Sequence, residues 1–135
     1  MKEQKYINES QKFVMETLKQ AGVKITNTDN GFIADGRGIK LKAVNVEVSQ
    51  YPGFPTDMQS QFMTLMTIAE GTSILKETVF ENRLMYVPEL VRMGANITIL
   101  GDNSAKFVGV KELCAADVMA SDLRSGASLA IAGLV

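Results

Sequence analysis

Histidine is absent from the 135-residue chain, and cysteine occurs once, as Cys114. The first absence excludes histidine-based catalytic triads and imidazole metal sites. The second excludes thiolate zinc clusters and an internal disulfide, so no metal centre is expected. A lone thiol fits a reducing compartment, and within "KELCAADV" it reads as a small buried apolar residue. An excess of charge is lacking too: 14 basic against 15 acidic residues leave a formal net charge of −1. The basic residues are scattered, which argues against nucleic acid and anionic membrane as partners. The first ten residues, "MKEQKYINES", are polar rather than basic and then apolar, and no apolar run is long enough to span a bilayer. The expectation is a cytoplasmic protein.

What is present is enough for a core. Apolar residues make up 46% of the chain and its mean hydropathy is +0.06, which predicts one soluble globular piece over 1–135. With no histidine, acid–base work falls to carboxylates, lysines, tyrosines or the thiol.

Periodicity divides the chain into alternating elements. "NESQKFVMETLKQAG" is predicted as an amphipathic helix, capped by Asn8 or Ser10 and ended by Gly22, with Val14, Leu18 and Ala21 at helical spacing. "VKITNTD" and "GFIADG" read as a hairpin and "AVNVEVS" as a third strand; Tyr51 to Pro55 form a turn. In "TDMQSQFMTLMTIAEG", Phe62, Met63, Leu65, Met66, Ile68 and Ala69 cover nearly the whole circumference of a helix, which predicts burial on all sides. "TSILKETVF" follows as a strand and "ENRLMYVPELVRMGA" as a helix. Pro88 either lies in the first turn of that helix or marks a break near Tyr86. "NITIL" and "AKFVGV" are strands around the turn "GDNS", and "ASDLRSGASLAIAGLV" is a closing helix, again apolar over most of its length.

The two halves answer each other. "LKQAGVKI" corresponds to "LVRMGANI", and "PTDMQSQFMTLMTIAEG" to "ASDLRSGASLAIAGLV", at offsets of about 65 to 72 residues. An internal repeat of approximately 8–71 and 81–135 is the economical reading, suited to a compact βαβαββ-like unit. Each copy sets a Thr-Asp or Ser-Asp pair at the mouth of an apolar helix. Helix mechanics alone accounts for both pairs: Thr56 or Ser121 caps free amides, and Asp57 or Asp122 gains about 0.3–1 kcal/mol from the helix dipole. A functional account uses the same physics, because a helix amino end holds a carboxylate ionised and fixed in direction, ready to accept a hydroxyl proton. Spacing does not choose between them.

The motifs "FPTDMQ", "ETVFENR" and "DLR", at their mutual spacings, resemble those of the bacterial UDP-N-acetylglucosamine enolpyruvyl transferases (1-carboxyvinyltransferases). The resemblance runs from about residue 8 to the end. The sister enolpyruvylshikimate phosphate synthases share the fold but not this wording. The resemblance implies a mixed α/β (α+β) fold built from βαβαββ units in an inside-out α/β barrel, with helices buried and sheets outside. It implies a cytosolic enzyme of peptidoglycan synthesis that moves the enolpyruvyl group of phosphoenolpyruvate to the sugar 3-hydroxyl and releases phosphate, with no cofactor. Asp57 matches the aspartate that contacts the sugar hydroxyl and is proposed as its base. Val79 matches a position binding the nucleotide sugar through its main chain, with Phe80 beside it. Arg83 matches an arginine of the same wall, and Asp122 and Arg124 a pair near the phosphoenolpyruvate end of the cleft. Interior salt bridges to acids such as Asp57 or Asp122 are the competing account of the two arginines.

The chain departs from that family first in length. Family enzymes are several times longer, and the cysteine loop that serves as general acid has no counterpart here; Cys114 is no substitute. Leu84 stands where an aromatic is usual, Gly126 lies within a helix start, and the "LGDNSAK" turn holds an extra residue. The expectation is therefore one wall of the nucleotide-sugar site, inactive alone, with phosphoenolpyruvate bound only when the missing domain is present. The alternatives are a non-catalytic nucleotide-sugar-binding or interaction module, and a structural fragment that self-associates through surface its missing units would cover.

Overall fold

The computed structural model describes residues 7–101 and 103–135. Helix α1 spans Glu9–Gln20, and its start follows from a reciprocal capping box: the Asn8 side chain accepts from the Gln11 amide while the Gln11 side chain accepts from the Asn8 amide. Gly22, at φ +99°, then turns the chain into the hairpin β1 (Lys24–Thr28) and β2 (Gly31–Asp35). This hairpin is a two-stranded sheet of its own.

The main sheet has the order β3-β4-β6-β5, where β3 is Val46–Val48, β4 Thr72–Glu77, β5 Asn96–Gly101 and β6 Ser104–Val108. Strands β3 and β4 are parallel and joined through helix α2 (Gln59–Met66); β4 pairs antiparallel with β6, and β6 with β5. With α3 (Val87–Arg92) between β4 and β5, residues 46–108 follow the order βαβαββ. Helix α1 with its hairpin precedes this unit, and α4 (Leu123–Ala132) follows it. Among the described residues there is one open sheet and one hairpin; the closed barrel implied by the resemblance is not present in them.

Burial shows which side of the sheet matters. Along β4, Ser73, Leu75 and Glu77 are buried while Thr72 and Lys76 are exposed, and on β6 Ala105 and Phe107 face the same way. Helix α2 contributes Phe62, Met63 and Met66 to this core, and Phe62 meets Phe54 edge-on at 5.4 Å, an arrangement worth about 0.5–1.5 kcal/mol beyond area burial. Its polar residues are buried as well. Thr64 donates to the Ser60 carbonyl at 2.8 Å and Thr67 to the Thr64 carbonyl at 2.6 Å, so the helix satisfies its own hydroxyls. The expected all-round burial of α2 is thus met except along one face, where Gln61 and Leu65 are only half-buried.

Several expectations need correction. Helix α2 stops at Met66, so Ile68 and Ala69 lie in the following turn. Strand β3 keeps only three residues of "AVNVEVS", and β4 ends at Glu77 rather than at Phe80. Residues 81–86 are not helical. Asn82 takes the left-handed conformation, φ 58°, which interrupts a helix, and α3 begins only after Tyr86 with Pro88 in its first turn. Helix α4 buries one face, through Ser125, Ser128, Leu129 and Ala132, while Leu123 at its other side is 89% exposed. Cys114 is exposed rather than buried. The extra residue read in "LGDNSAK" coincides with a register shift between Ile99 and Gly101, while Asp102 of that turn lies outside the described residues.

Two glycines of different kinds give a test of this packing. A Cβ on Gly109 would lie 1.7 Å from the Ala69 carbonyl oxygen, whereas one on Gly126 would meet only the Ala120 Cβ at 3.6 Å. Gly126→Ala is therefore expected to stabilise the chain by about 0.5–1 kcal/mol, and Gly109→Ala to destabilise it by more than about 1 kcal/mol because backbone must move. Urea unfolding of the two variants measures both; a stabilised Gly109→Ala would contradict the close approach.

Candidate functional site

The mouths of α2 and α4 lie side by side, and the segment 78–86 after β4 closes the third side. Between them is a narrow cleft with a cavity volume of about 10 Å³, room for about one water molecule, lined by Thr56, Gln59, Arg83, Tyr86, Asp122 and Arg124 among others. Three of the six candidate residues, Arg83, Asp122 and Arg124, line it directly. Asp57 is tied to its edge, since its Oδ1 accepts from the Arg124 Nε at 2.6 Å. Phe80 is exposed beneath Arg83, whose guanidinium carbon lies 4.5 Å from the ring centroid. Val79 turns partly into the core instead. A wider hollow along α1 and β3, lined by residues such as Phe13, Asn45 and Phe54, contains none of the six.

The two aspartates at the helix mouths are not equivalent. Asp57 sits in a 3₁₀ turn, Thr56–Met58, that runs into α2, and neither this turn nor α2 has a side-chain cap. Asp122 is the N-cap of α4: its Oδ1 accepts from the Ser125 amide at 2.7 Å, and the Ser125 hydroxyl accepts from the Asp122 amide. Those bonds, above all the one from the Ser125 amide, hold its pKa below the usual carboxylate value. The expected capping by Thr56 or Ser121 is therefore overturned. Ser121 shares a contact with the Ser125 hydroxyl, and Thr56 donates its hydroxyl to Oε1 of Glu77. The salt-bridge account holds in part for Arg124, which pairs with Asp57 but at an exposed edge rather than in the interior, while Arg83 stacks on Phe80.

Beneath the cleft lies a polar layer that motif reading left without a role. Glu77 is 4% exposed. Burial pushes its pKa up, against the opposing pull of the Thr56 hydroxyl and the Arg83 charge. Its Oε2 has no hydrogen-bond partner among the described residues, and nor does Nε2 of Gln59. Gln59 Oε1 accepts from the Tyr86 hydroxyl at 2.6 Å, and burial, with Glu77 nearby, raises the Tyr86 pKa well above its ordinary value. The available signal was a glutamine, Gln59, at the start of a helix otherwise read as buried and apolar.

Comparison with known proteins places this arrangement. A family model described as EPSP synthase (3-phosphoshikimate 1-carboxyvinyltransferase) matches residues 3–135. The chain belongs to that family. Curated relatives named UDP-N-acetylglucosamine 1-carboxyvinyltransferase resemble it more specifically: one from Thermodesulfovibrio yellowstonii is 55% identical over 87% of this chain and 28% of its own length. Another, from Jannaschia sp., is 52% identical over 88% of this chain and 28% of its own length. The chain thus spans little more than a quarter of the curated relatives it matches. Among solved structures, the enolpyruvyl transferase NikO from Streptomyces tendae superposes with a TM-score of 0.79 at 24% identity, over 91% of this chain and 28% of that one. EPSP synthase from Acinetobacter baumannii gives 0.63 at 14% identity, over 94% and 31%. These two likenesses establish the enolpyruvyl transferase fold.

Within this family fold, the different duties of the two aspartates are measurable. Asp57→Ala removes an exposed ion pair and no cap, so it is expected to cost at most about 1 kcal/mol, whereas Asp122→Ala removes a cap and should cost about 0.5–2 kcal/mol. Chemical unfolding at neutral pH ranks them, and the reverse order would contradict the cap assignment.

The pH dependence has opposite signs at the two acids. The folded-state pKa of Asp122 is lowered, so its contribution is present above the unfolded carboxylate pKa of about 3.9 and is lost as pH falls through the folded value. That of Glu77 is raised. Its contribution is full below about 4.3, the unfolded value, and is lost as pH rises through the folded one. Glu77→Gln should therefore gain stability relative to the unsubstituted chain on going from pH 4 to pH 8, because the unfolded carboxylate ionises at about 4.3 and the folded one only at higher pH. A parallel pair of unfolding curves at the two pH values would show that Glu77 is not desolvated.

Proposed function

We propose that this chain supplies one wall of the nucleotide-sugar site of a UDP-N-acetylglucosamine 1-carboxyvinyltransferase, the enzyme that transfers the enolpyruvyl group of phosphoenolpyruvate to the sugar 3-hydroxyl. The observation that carries this reading is the state of Asp57. Its carboxylate is 69% exposed at the edge of the cleft, does no helix-capping work, and is aimed by an arginine from another helix mouth. A carboxylate so placed can accept the hydrogen bond of a sugar hydroxyl and take its proton as the oxygen adds to C2 of phosphoenolpyruvate, the C2–C3 double bond opening as a general acid that this chain does not supply protonates C3; loss of a C3 proton together with phosphate from C2 then restores the double bond. The names of the relatives support the substrates.

Around Asp57 the other roles follow from chemistry. Arg83 and Arg124 present guanidinium groups suited to phosphate or carboxylate oxygens. Val79 offers main-chain groups and Phe80 an exposed ring beside them. Asp122 acts by fixing the mouth of α4, and with it the carbonyl of Arg124, which accepts from Ser60 and Ser128. The reading extends to peptidoglycan synthesis in the cytoplasm, to an internal repeat of approximately 8–71 and 81–135, and to a single globular piece. A 135-residue chain with no counterpart of the general-acid cysteine loop is expected to release no phosphate from phosphoenolpyruvate.

Titration of UDP-N-acetylglucosamine into isotopically labelled protein tests the reading. Amide shifts confined to the surroundings of Asp57, Val79 and Arg83 are expected, and they should disappear in Asp57→Ala while the remaining spectrum is unchanged. A well-dispersed spectrum with no response to the nucleotide sugar would remove the wall assignment and favour a structural fragment.

A further inference from the structure

Glu77 begins the motif "ETVFENR", yet neither the motif reading nor the cleft assigns it a task. It is an almost fully buried carboxylate at the end of β4, on the inner face of the sheet and in register with Val48. Such a group is costly to bury and is normally retained only where its partners use it. Its neighbours divide between the two sequence motifs that flank the cleft. Oε1 accepts the Thr56 hydroxyl, from the residue immediately before Asp57 in the 3₁₀ turn. Arg83 acts on the same carboxylate through its charge, and Tyr86 lies within its electrostatic reach.

The consequence is mechanical. The turn Thr56–Met58 has no side-chain cap, and its own backbone bonds are few: the Met58 amide donates to the Pro55 carbonyl at 3.1 Å and the Gln59 amide to the Thr56 carbonyl. A short 3₁₀ segment with so few bonds is weakly determined by itself. The Thr56 hydroxyl bond to β4 anchors it to the sheet. Because that anchor is one residue from Asp57, it fixes the direction from which the Asp57 carboxylate meets Arg124.

We propose that Glu77 is a positioning residue, which through the Thr56 hydroxyl holds the 3₁₀ turn so that Asp57 is aimed at Arg124 and the cleft. The inference rests on the reading of Asp57 as the acceptor of the sugar hydroxyl, but its test does not need the sugar. Hydrogen exchange of the Arg124 Nε–H, followed in the labelled 135-residue chain at pH 6, reports the pair directly, and Asp57→Asn supplies the signal of the broken pair.

Thr56→Val, which removes the hydroxyl and keeps the shape, is expected to speed that exchange by about three- to fivefold, toward the rate of Asp57→Asn. Glu77→Leu should do the same. Glu77→Gln, which keeps an acceptor oxygen for Thr56, should stay within about twofold of the unsubstituted chain. Unchanged exchange in a folded Thr56→Val overturns the proposal, as does a folded Glu77→Gln that exchanges as fast as Asp57→Asn. Should Glu77→Leu unfold, Thr56→Val alone decides. Adding UDP-N-acetylglucosamine to the same samples separates the two readings: silence in the unsubstituted chain removes the wall assignment, while the exchange rates still judge Glu77.

Discussion

The burial of most of α2 between the sheet and α4 constrains the structure around it. Only Gln61 and Leu65, one turn apart, keep partial access to solvent, so the buried polar groups must either bond within the helix or gather at its end. Thr64 and Thr67 take the first course, each returning its hydroxyl to a carbonyl of the same segment. At the mouth, Thr56, Asp57, Gln59 and Ser60 take the second. Their partners are Glu77 of β4, the Arg124 guanidinium, Tyr86 before α3 and the Arg124 carbonyl. One short stretch thereby draws three separate parts of the chain to a single point, and the cleft is the space left between them.

The same constraint explains why two similar sequence motifs carry different tasks. Helix α4 has one face open, so its start needs an ordinary cap, and Asp122 supplies it with Ser125. The start of α2 is relieved differently: a 3₁₀ turn leads into the helix, and Pro55 before that turn has no amide hydrogen to satisfy. Asp57 is released from capping. Its carboxylate is then available to a partner 67 positions along the chain, which is the condition a functional acceptor must meet.

Much of this was legible in the sequence, for identifiable reasons. Asn8, Gly22 and the alternation in "VKITNTD" and "GFIADG" are local signals, and the corresponding elements stand close to where they were expected. The six candidate residues came from motif wording, and four of them meet at the cleft or its edge. Illegible were features that depend on a partner remote in sequence. Nothing in "TSILKETVF" marks Glu77 as buried until Thr56 and the sheet interior cover it, and Cys114 reads as buried until Leu113 beside it takes that place. The break at Asn82 is hidden because helical spacing continues through "ENRLMY" although the backbone there is left-handed.

The pairing of Asp57 with Arg124 bears on what the carboxylate can do. A guanidinium at 2.6 Å sets the direction of the carboxylate, which has sites for about four hydrogen bonds. A sugar hydroxyl can therefore join Asp57 without displacing Arg124. On the proposed reading one guanidinium serves both substrates: the Nε of Arg124 holds Asp57 for the sugar hydroxyl, and its remaining donors are suited to a phosphate or carboxylate oxygen of phosphoenolpyruvate. The hydroxyl and the anion would then meet on either side of a single side chain, so that the geometry of this pair sets how the two reacting groups approach each other.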